Sequence, residues 1–264
     1  MSRITQKGQS APLSLNTGGS FPVSDDKNLS TLVGTRYDLS DGREVIFVSV
    51  GATAIGTSGL LCQDAAIVAN HQNTTVGTYT AYSASGNVPA SVILTIGATA
   101  LTKDQYQGGF AVVNAATGIG QTLRIASNSA GLASSTVATV TFEDAPNVAL
   151  VASASNIDLI PPHGANVVAF PIAATGAAVG VTLYPLTAGI AAGATTGTAN
   201  FGFLTSKGLT ASLSDAGVAS AGQAIAPSVL VVGATRLASG TQAVVGYANQ
   251  TAVSAEARSV FVNL

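Results

Sequence analysis

Short runs of β-branched and aromatic residues recur along the chain, about ten to fifteen residues apart. The first clear one is EVIFVSV at residues 44–50, directly after the turn dipeptide Asp41-Gly42. Others follow at 91–96, 110–113, 122–125, 137–142, 148–151, 157–160, 167–170, 179–184, 229–232, 243–247 and 259–262. Each is four to eight residues long and bounded by Gly, Pro, Asn, Asp or Ser, the residues that break or turn a strand. Helices need about ten residues free of Gly and Pro, with apolar positions three and four apart. The best window is LLCQDAAIVAN at 60–70, where Leu61, Ala65 and Val68 would share a face; it is short, and 66–69 also suits a strand. The pattern predicts an all-β protein with β-sandwich or barrel-like domains.

Residues 1–35 lack this periodicity. They are polar, with isolated apolar positions such as Leu13, Phe21 and Leu32, and read as an extended arm. The diproline Pro161-Pro162 is the strongest interruption, because neither residue can donate to a sheet. The turn-rich stretch around Gly86-Asn87 is a second. These breaks divide the chain into an arm (1–43), a small β region (44–86), a middle β domain (87–160) and a C-terminal β domain (161–264). Three strands run into a Gly-Ala-Thr corner, at Gly51, Gly97 and Gly233, without a fixed period.

Composition narrows the function. Ala, Gly, Thr and Ser number 46, 29, 29 and 26, about half of the 264 residues. Charged residues are only 8%, where about 25% is usual. Ten Lys and Arg face twelve Asp and Glu, so a basic nucleic-acid surface is not expected. Cys62 has no partner in the chain, which excludes a disulfide framework. No apolar leader opens the sequence, so synthesis in a reducing cytoplasm is expected. Residues 159–206 carry no formal charge, yet four prolines and many glycines make buried strands and turns the expectation there, not a membrane span.

A search for reactive groups returns little. His71 and His163 lie in loop-like contexts, and no Gly-x-Ser-x-Gly elbow exists. Cys62 reads as a small core residue. The acid pairs Asp25-Asp26 and Glu143-Asp144 sit in turns, and neighbouring residues of an extended chain face opposite ways. The cluster from Asp38 to Glu44 is oxygen-rich but lacks calcium-loop spacing, and is read as a hairpin turn. The aromatic residues are scattered along the chain, with no stacking platform evident. No cofactor and no catalytic residue are assigned.

The ending, residues 243–252 followed by 259–264, resembles the closing strands of small tailed-phage capsid decoration proteins. Tyr106-Gln107-Gly108-Gly109, opening the strand that starts at Phe110, and the Gly-rich hairpin with the Arg124 return strand resemble phage virion proteins also. The resemblance covers about residues 90–264. It implies a non-enzymatic capsid cement or decoration subunit on the virion surface, made in the host bacterial cytoplasm. Its partners would be the major capsid protein and further copies of itself in a symmetric oligomer such as a trimer. The long arm departs from the shortest decoration proteins and leaves a head-fibre, tail or receptor-binding module as the alternative, with a polysaccharide hydrolase third. An arm without its own core can order on a neighbour. Its sparse cationic and aromatic residues, Arg3, Lys7, Phe21, Lys27 and Arg36, are the candidate partner-binding positions.

Overall fold

The computed structural model describes residues 32–133, 137–189, 200–215, 220–240, 242–251 and 255–264, with three further backbone strands near the start. The chain forms two compact units. Residues 67–162 make the body of one; residues 1–66, 163–191 and 196–264 make the other. Both are β, as the patterning predicts.

The first segment of the split unit holds β1 (Arg3–Gln6), β2 (Gln9–Ser14), β3 (Phe21–Pro22), β4 (Arg36–Leu39), β5 (Glu44–Ser49) and β6 (Leu61–Gln63). The continuous unit holds β7 (Thr74–Thr80), β8 (Ser91–Thr95), β9 (Phe110–Ala115), β10 (Thr122–Asn128), β11 (Val137–Phe142) and β12 (Asn156–Ile160). The remaining strands are β13 (Val168–Ala169), β14 (Ala178–Thr182), β15 (Asn200–Leu213), β16 (Ala224–Pro227), β17 (Thr235–Leu237), β18 (Gly246–Ala248) and β19 (Ala257–Asn263).

Strands β7 to β12 close into a six-stranded antiparallel barrel, in the order β10-β11-β8-β7-β12-β9. Closure removes free sheet edges. Alternation along each strand explains its interior. Val92 and Leu94 of β8, Ala138, Val140 and Phe142 of β11, and Ile157 and Leu159 of β12 point inward and are buried, while Thr95, Val137 and Thr139 point out. Each fully buried Val or Leu contributes about 1.5–3 kcal/mol. His71 is buried in this unit, not in an open loop as its polar neighbours suggested. Its Nε2 faces the Thr99 carbonyl at 3.0 Å, which can only accept, so Nε2 carries the proton. Its Nδ1 then accepts from the Tyr106 hydroxyl at 2.7 Å. Burial pushes the Tyr106 phenol upward, keeping it a donor.

In the split unit β5 is buried along almost its whole length. Ile46 and Val48 face one apolar cluster, with Val179 and Leu204. Val45 and Phe47 face another, with Tyr37, Phe201 and Phe203. A continuous apolar run is what a strand covered on both faces requires. The longest strand, β15, pairs with β5 through residues 201–207 and with β19 through 207–213. A third cluster lies between β6, β14, β16, β18 and β19, where Leu61, Val181, Ile225, Val260 and Val262 meet.

Several local expectations differ. Residues 60–70 form no α-helix: Leu61–Gln63 is a strand, and only Ala69–His71 turns, as a single 3-10 turn. Residues 148–151 are a loop, because Gln121 takes both the Val148 amide and carbonyl, and Ser155 takes the Val151 amide. The side chains occupy backbone groups that a neighbouring strand would need. The break at 86–87 falls inside the barrel, in the connection of the paired strands β7 and β8. The end of the arm at residue 43 likewise cuts through the β4–β5 pair. The diproline does coincide with a unit boundary, since the barrel unit runs to Pro162.

Candidate functional site

Residues 229–232, Val-Leu-Val-Val, are the largest departure from the expected strands. All four side chains are exposed, at 46%, 67%, 39% and 52% of their surface. The cause lies one residue earlier. The buried Ser228 hydroxyl accepts the amides of Leu230 (3.0 Å) and Val231 (2.9 Å), and donates to Asp215 Oδ2 at 2.5 Å. A serine that binds amides two and three residues ahead turns the chain instead of extending it. The loop is closed by Ser228 N to the Ala234 carbonyl (2.9 Å) and anchored through Gly233, whose N–H bonds the Phe170 carbonyl and whose carbonyl accepts from Leu61. Gly233 has φ +72, and a Cβ there would press on Leu60. Four aliphatic side chains are thus held outward by a rigid scaffold.

Beneath the loop lies a buried charge group. Asp215 and Arg258 are each 1% exposed. Burial pushes the Arg258 guanidinium down and the Asp215 charge pulls it back up. Arg258 Nη2 reaches the Thr235 carbonyl at 3.5 Å, while its Nε and Nη1 find no hydrogen-bond partner among the described residues. Arg236 Nε lies 3.9 Å from the same carboxylate.

A second exposed surface crosses three strands. Leu209 of β15, Phe261 of β19 and Tyr247 of β18 stand opposite one another in register. All three point to solvent, at 43%, 49% and 54% exposure. Gly246 allows β18 to lie this close, since a Cβ there would strike the Phe261 carbonyl. Leu209 and Phe261 line an open groove of about 650 Å³ with Ala211, Ser259, Gln250 and the Asp41–Arg43 turn. Arg43 is fixed by Asp41 through Nη2 (2.6 Å) and Nε (2.8 Å). Ser259 Oγ donates to Gln250 Oε1 at 3.0 Å. Register thus brings Tyr247 and Phe261, which lie apart in sequence, onto one sheet face.

The sequence-derived binding positions are only partly visible. Lys7 and Lys27 lie outside the described residues. Arg3 falls in β1 and Phe21 in β3, where the backbone alone is described. Arg36 is engaged within the fold, donating to Glu44 Oε1 at 2.6 Å and to the Leu264 carbonyl at 3.0 Å. Of the turn considered for calcium, Asp41 is committed to Arg43 and Glu44 to Arg36. Among the described residues no group of three or more His, Cys, Asp or Glu is placed to hold a metal ion. Cys62 is buried, and burial pushes its thiol upward, away from the reactive thiolate. His163 Nδ1 lies 2.8 Å from Asp64 Oδ2. The acid's other oxygen accepts the Gly164 amide. Glu143 pairs with Arg124 at 3.0 Å. Among the described residues no helix is long and apolar enough to cross a membrane. No protein family, curated protein or solved structure matches the chain.

Proposed function

We propose that this protein is a virion structural subunit, a capsid cement or decoration protein that works through its contact surfaces. The observation that supports this most is the pinned loop at 229–232. Exposed contiguous apolar side chains mark interaction sites on soluble proteins. A loop held in one conformation loses little entropy when it docks. The abundance of Ala, Ser and Thr acts in the same direction, because small side chains cost little to order at an interface. The partners would be the major capsid protein and other copies of this chain, met on the outer face of the head.

Three tests bear on the reading. Electron microscopy of phage particles made with and without the chain should differ by density on the capsid surface; the chain's absence from purified particles overturns it. Leu230→Asp should weaken binding to undecorated particles by about tenfold or more, the effect of putting a charge into a desolvated contact. Unchanged affinity would remove the loop from the interface. Deleting residues 1–31, which spares the Leu32–Thr35 contacts with Phe47 and its cluster, should leave a folded β protein that no longer binds capsids, and retained binding would remove the arm. A second reading, an adhesive module, is favoured by the in-register row of Leu209, Phe261 and Tyr247.

A further inference from the structure

We propose that the groove floored by Leu209 and Phe261, and extended by Tyr247, binds a neutral saccharide. This goes beyond the assembly reading and does not depend on it. The row supplies what a sugar ring needs on one side. Phe261 and Tyr247 present exposed rings on neighbouring strands, which lie about 4.8 Å apart, close to the length of one sugar unit. The apolar C–H face of a pyranose packs on such a surface.

The rim supplies the other requirement, directed hydrogen bonding. Ser259 Oγ donates to Gln250 Oε1, which fixes a carboxamide and a hydroxyl side by side at the rim. Asn249 Nδ2 reaches the same Ser259 hydroxyl at 3.2 Å. Arg43 is fastened by its Nε and one Nη to Asp41, so the planar fork is rigid before any ligand arrives. Rim charge decides the class of sugar. Arg43 and Asp41 neutralise each other, and Arg258, which also lines the groove, is 1% exposed and answered by the Asp215 charge, so a neutral ligand suits the groove best. The groove is open, and its volume of about 650 Å³ lies within the ~300–1,000 Å³ of small-ligand sites.

The same chemistry recurs independently in the barrel. Phe110 lies opposite Arg124 across β9 and β10, and both line an open groove of about 980 Å³ with Gln121, Thr122 and Asn147. Arg124 is again held by an acid, Glu143. The phenyl ring, the acid-held guanidinium and the carboxamide are therefore found twice. The barrel groove differs in that Val148 takes both ends of the Gln121 carboxamide, Glu143 does not line it, and Asp144 adds a carboxylate.

The test is an NMR titration of the isotope-labelled full chain with cellopentaose, maltopentaose and mannopentaose, each to about 10 mM, enough to detect millimolar binding. At least one should shift the amides of residues 207–211, 247–250 and 257–263 in a saturable way. Phe261→Ala should weaken that binding about two- to tenfold, the worth of one ring contact. Tyr247→Ala, also on the solvent side, serves as the second variant should the first fail to fold. Three outcomes overturn the proposal: no shift with any probe, shifts confined to other residues, or unchanged affinity in the folded variant. A fourth does so as well: concentration-dependent broadening of these amides without sugar, which would mean the face pairs with a second copy.

Discussion

Ser228 occupies a position where one hydroxyl organises two backbone amides and a buried carboxylate. Removing it leaves the amides without their acceptor and takes one donor from Asp215. Ser228→Ala should therefore cost about 1–3 kcal/mol, the range for stranding buried polar groups, read as a lower denaturation midpoint. An unchanged midpoint would show that the loop is held by its backbone alone. Asp41 offers a pH readout. The hydrogen bond from Arg43 holds its carboxyl below the usual carboxylate range. A depressed folded value means that the pair's contribution is present above the ordinary value and lost as pH falls through the folded one. Carboxyl NMR should place the Asp41 midpoint below 3.8, and Arg43→Ala should return it to about that value. A wild-type midpoint already at the ordinary value would mean that the pair does not persist in solution.

The barrel, at the scale of elements, draws its core from its own strands and connections, from Val76 to Leu159. Residues 67–162 expressed alone should fold and melt cooperatively, checked by thermal circular dichroism and NMR dispersion. A gradual, uncooperative transition would contradict this. Most barrel strands were legible in the sequence, because β8, β9, β10, β11 and β12 carry β-branched residues at alternating positions. β15 was not, although it is the longest strand. Its Thr205, Ser206 and Ser212 interrupt the apolar runs that mark the other strands, yet each is fully buried. Ser206 bonds Glu44, and Ser212 bonds Thr235. Their partners lie elsewhere in the chain, so no local pattern reveals them. Residues 229–232 show the converse failure, because β propensity cannot register that Ser228 will take the amides. The aromatic row was invisible for the same reason as β15: register joins residues 209, 247 and 261, and spacing does not.

For the whole molecule, the decisive arrangement is that one unit is continuous and the other is divided around it. The divided unit places β5 beside β15, so residues 44–49 meet partners at 201–207. This ordering governs how the protein emerges from a ribosome. The barrel has all its contacts once residue 162 is outside, and is expected to close first. The β5 segment Val45-Ile46-Phe47-Val48 must wait for about 150 more residues before its second neighbour exists. A hydrophobic strand left with an open edge for that long is a template for wrong pairing between nascent chains. Non-local strand pairing is also slow to form. The yield of native protein is therefore expected to depend on translation speed and chaperone supply through β5, while the barrel forms regardless.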